Sequence, residues 1–69
     1  MLSFDVWMKE VDKCLVSKLG LSSADLVDAP WIGYFDDEID TEEACALALF
    51  DHNDISLEVL ETIGLGEYI

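Results

Sequence analysis

Between Ser3 and Gly20 the apolar residues Phe4, Trp7, Met8, Val11, Cys14 and Leu15 recur at the i, i+3, i+4, i+7 spacing of one buried helical stripe. This pattern predicts a helix over Phe4 to Leu19, with Ser3 as its N-cap and Gly20 just past its end. Lys9 and Lys13 fall off the stripe and into water. Asp5 stands four residues before Lys9, the orientation that favours a helical ion pair. A stripe of this kind must be covered by the rest of the chain. With 69 residues there is room for one domain, burying about 60% of its unfolded surface and therefore modestly stable.

The remaining segments read as short helices. Leu21 to Leu26 predicts a second one, with Ser22 or Ser23 capping it and Asp25 near its positive end. Asp28 or Ala29 precedes Pro30, a residue suited to a first helical turn, and Trp31, Ile32, Tyr34 and Phe35 follow as an aromatic block around Gly33. That block predicts one or two helical turns, with an irregular packed loop as the other reading. Thr41 is the expected N-cap of a helix running to about His52, with Glu42 and Glu43 in its first turn. Its body, Ala44 to Phe50, is apolar on every face, which suits either the centre of a bundle or an interface. After a break at residues 51–54, Ser56 caps a last helix to Ile63 with Leu57, Val59, Leu60 and Ile63 inward. The alternation of Ile55, Leu57 and Val59 would also suit a strand, but no partner strand is evident. Gly64-Leu65-Gly66 ends this helix, and residues 67–69 dock loosely or fray. The expected architecture is all-α, a single-domain bundle of about three to four short helices over residues 1–69.

Charge is distributed unevenly. Lys9, Lys13 and Lys18 are balanced by Asp5, Glu10 and Asp12, and no lysine or arginine follows Lys18, so the whole net charge of −13 belongs to residues 19–69. Such a surface repels nucleic acid and anionic membrane and attracts basic partners at long range. More than half of the residues are apolar, too many for a disordered acidic tail. The N-terminal residues Met1 to Asp5 lack the basic patch and apolar run of a signal peptide, and no stretch approaches a membrane span, so a soluble, cytoplasmic protein is expected. Cys14 and Cys45 both lie on apolar helical patterns and are read as reduced core thiols, not a disulfide.

The acidic run Asp36-Asp37-Glu38-Ile39-Asp40-Thr41-Glu42-Glu43 invites a calcium reading. An EF-hand loop starting at Asp36 fails where Thr41 stands in place of the turn glycine, and again where Leu47 stands in place of the bidentate glutamate. Cys14, Cys45 and His52 lack zinc-site spacing, and one helix holds Cys45 and His52 about 10 Å apart along its axis. His52 reads as a surface residue beside Asp51 and Asp54. The carboxylates sit in polar sequence that does not desolvate one member of a pair, and no phosphate-binding glycine loop is present. No catalytic residue, cofactor or metal is expected, and the chain is not read as an enzyme.

Phe4-x-x-Trp7-Met8-x-x-Val11-Asp12, then Gly20-Leu21-Ser22-Ser23-x-Asp25-Leu26-x-Asp28, then the Trp31–Phe35 block with Asp36-Asp37 and Glu43-Ala44…Ala48-Leu49, resembles a family of short uncharacterised proteins of bacteria and their tailed phages. The resemblance covers residues 3 to 50 and leaves 51–69 as an extension. Ile32-Gly33 fill a region where the family usually has a basic residue. It implies a small helical fold and a phage or mobile-element setting, and supplies no activity.

Two functions follow from the residues. The first is an acidic, DNA-mimic-like inhibitor or modulator, phage-encoded and acting in the host cytoplasm. It would occupy the basic surface of a host nucleic-acid-binding protein of the restriction, CRISPR or transcription machinery. Asp36, Asp37, Glu38, Asp40, Glu42 and Glu43 are its expected partner-binding residues. The second is an assembly protein that forms a homodimer or caps a partner through Val6, Val16 and part of the Ala44–Phe50 helix. Neither binds nucleic acid directly.

Overall fold

In a computed structural model, which describes residues 3–26 and 28–69, the chain forms four α-helices and two 3-10 turns, with no strand among the described residues. Met1 and Leu2, part of the segment read above for a leader, lie outside them. The helices are α1 (Phe4–Leu19), α2 (Trp31–Asp36), α3 (Thr41–His52) and α4 (Leu57–Thr62). The turns are Ser23–Asp25 and Gly66–Tyr68. No described helix is long and apolar enough to cross a membrane.

The first helix has the bounds its periodicity predicts. Ser3 Oγ accepts from the Val6 amide at 3.3 Å, and Gly20, in the left-handed region at φ 69°, ends the helix with its amide on the Val16 carbonyl. Trp7, Val11 and Leu15 are its buried residues. The anticipated Asp5–Lys9 pair is absent from the described contacts. Lys13 instead reaches back to Glu10 at 3.3 Å, an exposed pair of little energetic weight.

The stripe of α1 packs chiefly on α3. This explains why α3 is apolar all round: it is the central helix, with Ala44, Cys45, Ala46 and Ala48 at 0% exposure and Leu49 at 1%. Alanine at three of these positions lets neighbouring backbone approach closely. Cys45 Sγ lies 3.6 Å from the Val11 carbonyl oxygen of α1. Its helical start differs from expectation by one residue. Asp40 occupies the N-cap position and Thr41 is the first helical residue, because the Ala44 amide bonds the Asp40 carbonyl at 2.8 Å. At the other end, Asn53 Nδ2 donates to the Ala48 carbonyl at 2.9 Å.

The segment expected as a second helix is only the Ser23–Asp25 turn. Asp25 Oδ2 accepts from the Ser22 amide, and Asp12 of α1 takes the Ser23 amide at 2.6 Å, tying the turn down. Pro30 stands immediately before α2 and not within its first turn.

Ser56 caps α4 as expected, accepting from the Val59 amide at 3.3 Å. Leu57 and Val59, expected inward, are instead 41% and 42% exposed, and Leu60 alone is fully buried on this helix. The chain that follows supplies the next core residue. Gly64 at φ 87° reverses the backbone, and the Leu65 amide returns to the Leu60 carbonyl at 2.8 Å. Leu65 thereby becomes fully buried. Gly66 then passes so close to α4 that a Cβ there would lie 2.9 Å from the Glu61 Cα. Tyr68 completes the turn by donating its hydroxyl to Glu42 Oε2 at 2.8 Å. Loose docking or fraying of residues 67–69 is thus replaced by a fitted 3-10 turn.

The Glu42 carboxylate favours the neutral phenol, pushing the Tyr68 pKa up from 10.0 to about 12, with burial as a lesser cause. A raised folded-state pKa means the contribution of this bond is fully present below pH 10 and is lost as pH rises toward 12. Absorbance at 295 nm should therefore show Tyr68 ionising near pH 12, with Tyr68→Phe identifying its share of the signal. Ionisation of Tyr68 at pH 10 would show that the bond to Glu42 is not made in solution.

Candidate protein-binding groove

Three aromatic rings from two helices pack together, and two of them, Trp7 and Phe35, face a groove. Phe4 and Trp7 lie on one face of α1 with centroids 6.2 Å apart, and Phe35 of α2 meets them edge-on at 5.4 and 5.7 Å. The loop from α2 to α3 is drawn against this cluster by the Trp7 indole, whose Nε1 donates to the Ile39 carbonyl at 3.1 Å. Trp7, Phe35 and Ile39 then line an open groove of about 590 Å³. Glu10 stands on its α1 side, and Asp36, Glu38, Asp40 and Thr41 on its loop side. No lysine is among the lining residues.

The loop is shaped by the way α2 ends. The Ile39 amide bonds the Tyr34 carbonyl and the Glu38 amide bonds the Phe35 carbonyl, both at 3.0 Å, leaving Glu38 in the left-handed region at φ 59°. The end of α4 repeats this pattern, Leu65 to Leu60 and Gly64 to Glu61, with glycine at the left-handed position. Glutamate carries a Cβ that glycine lacks, and it pays a steric cost at such a φ. Glu38→Gly is accordingly expected to raise stability by roughly 0.5–1 kcal/mol, after allowing for the freer unfolded chain. The midpoint of urea unfolding measures this, and a lower midpoint would mean that contacts of the carboxylate outweigh the strain.

Of the six expected partner-binding residues, the fold brings Asp36, Glu38 and Asp40 together around the groove. Asp37, Glu42 and Glu43 are not among its lining, and Glu42 accepts the Tyr68 hydroxyl. Asp36, Asp37, Glu38, Asp40 and Glu42 are exposed, while Glu43 is half-buried. Glu10 joins the site from 26 to 30 positions earlier in the chain, as the groove lining shows. The sequence signal for the floor was Ile39, the one apolar residue inside the acidic run.

The chemistry open to this arrangement is limited. Among the described residues no three His, Cys, Asp or Glu side chains converge as a metal site, so the rim carboxylates border the groove without forming a chelating set. No buried side-chain nitrogen or oxygen among the described residues lacks a hydrogen-bond partner. Cys14 and Cys45 are free thiols. Burial first, and then the adjacent Cys14 thiol, raise the Cys45 pKa far above the usual thiol range, the opposite of nucleophile activation. His52 is exposed at the end of α3. The Tyr34 hydroxyl is likewise pushed up, by burial and then by Asp51.

No protein-family model, curated protein or solved structure matches the chain.

Proposed function

We propose that this chain is an acidic protein-binding module that occupies the basic surface of a nucleic-acid-binding protein. The observation that carries the reading is the placement of Glu10, Asp36, Glu38 and Asp40 around one apolar groove that no lysine lines. A cationic surface meeting this face gains attraction on approach and apolar burial on contact. The phage-encoded setting, and a target in restriction, CRISPR or transcription machinery, belong to the same proposal. They rest on the resemblance over residues 3 to 50.

The assembly alternative would draw on a smaller apolar surface. Ala44 to Leu49 are mainly inside the bundle, leaving Phe50 at 39% exposure and the half-buried Leu47 as the outward residues of that run. Val6 at 41% and Val16 at 57% remain outward on α1. Isolated exposed valines are ordinary at a protein surface.

A pull-down from nuclease-treated bacterial lysate, washed at low and then molar salt, tests the proposal. The expected result is a nucleic-acid-binding protein held at low salt and released at high salt. Capture of only the chain itself, resistant to molar salt, would favour the assembly reading.

A further inference from the structure

We propose that the groove takes a bulky apolar side chain of the partner protein, presented by a segment with lysine or arginine on both sides of it. This rests on the acidic-face reading and adds the chemistry of the contacting segment. The floor supplies the apolar half of the argument. Trp7 is already packed and hydrogen-bonded, whereas Phe35 and Ile39 are only half-buried and offer uncovered apolar surface. A groove of about 590 Å³ accommodates one large side chain and the backbone that carries it. The rim supplies the other half. Its carboxylates come from α1 (Glu10), from the last residue of α2 (Asp36) and from the α2–α3 loop (Glu38 and Asp40), so cations on both sides of the anchor would each find a carboxylate. They do not converge on a point, which favours charges spaced along a chain over a single metal ion. Glu10 is shared with Lys13 at 3.3 Å in an exposed contact that an incoming cation can replace.

The test uses the full chain and three acetylated, amidated pentapeptides. One has phenylalanine between two pairs of lysines, one has glycine at the centre, and one keeps phenylalanine but replaces the lysines with serines. Binding is followed in low salt by two-dimensional amide NMR, including the two tryptophan indole N–H signals. The phenylalanine–lysine peptide is expected to bind at least about tenfold more tightly than either control. It should shift the Trp7 indole, which is bonded to Ile39, and leave the Trp31 indole, bonded to Leu26, in place. Equal binding of the phenylalanine and glycine peptides with lysines would overturn the groove proposal and leave the acidic-face reading standing. Equal binding of the two phenylalanine peptides would overturn the role given to flanking cations. Absence of binding by all three would overturn the groove proposal and count against the acidic-face reading as well.

Discussion

Leu65→Ala is expected to lower the unfolding free energy by about 2–5 kcal/mol, the range for truncating a fully buried leucine. Leu65 is 0% exposed, and its amide is bonded to the Leu60 carbonyl, so the surrounding chain has little freedom to close the cavity. A chain of this size has in total roughly 3–10 kcal/mol of stability. The substitution therefore removes a large share of it and, toward the lower end of that range, leaves the protein substantially unfolded at room temperature. Urea unfolding followed by circular dichroism at 222 nm gives the number. A loss below about 0.5 kcal/mol would show that the turn after α4 is outside the cooperative unit, because surface substitutions stay within that range.

The second large effect concerns binding. Replacing Asp36, Glu38 and Asp40 together by lysine is expected to weaken capture of a basic partner at least about a hundredfold at low salt. Each reversal changes the local charge by two, and exposed charge pairs contribute roughly 0.2–1 kcal/mol each, so three reversals reach about 3 kcal/mol. The fold should survive. All three side chains are exposed, and the change reduces the repulsion among thirteen uncompensated negative charges. Circular dichroism checks the fold, and titration of the captured partner checks the affinity. Unchanged affinity with the fold intact would remove the acidic face from the interaction.

Local signals carried most of the architecture. The bounds of α1 follow from its stripe and from Ser3 and Gly20, which act within a few residues of themselves. The all-round apolarity of Ala44 to Phe50 placed α3 at the centre or at an interface, and the packing of α1 against it decides for the centre. Where two cap-forming residues are adjacent, as at Asp40 and Thr41, composition does not decide the boundary and a single backbone bond does. For α4, six residues hold too few turns for periodicity to fix the inward face, so Leu57 and Val59 were placed wrongly. Leu65 joins the core instead, after a backbone reversal at Gly64. Three of the four rim carboxylates, Asp36, Glu38 and Asp40, are legible as the acidic run. The floor is marked there only by Ile39, and its shape depends on a contact between Trp7 and Ile39, 32 positions apart.

The two matching helix ends, glycine at position 64 and glutamate at position 38, imply opposite outcomes under selection. In a library of single substitutions sorted only for resistance to proteolysis, glycine should become enriched at position 38, because folding alone rewards it. Sorted instead for capture of the basic partner, the same library should keep an acid there. The position at which the two sorted populations disagree would then mark the recognition surface before the partner's structure is known.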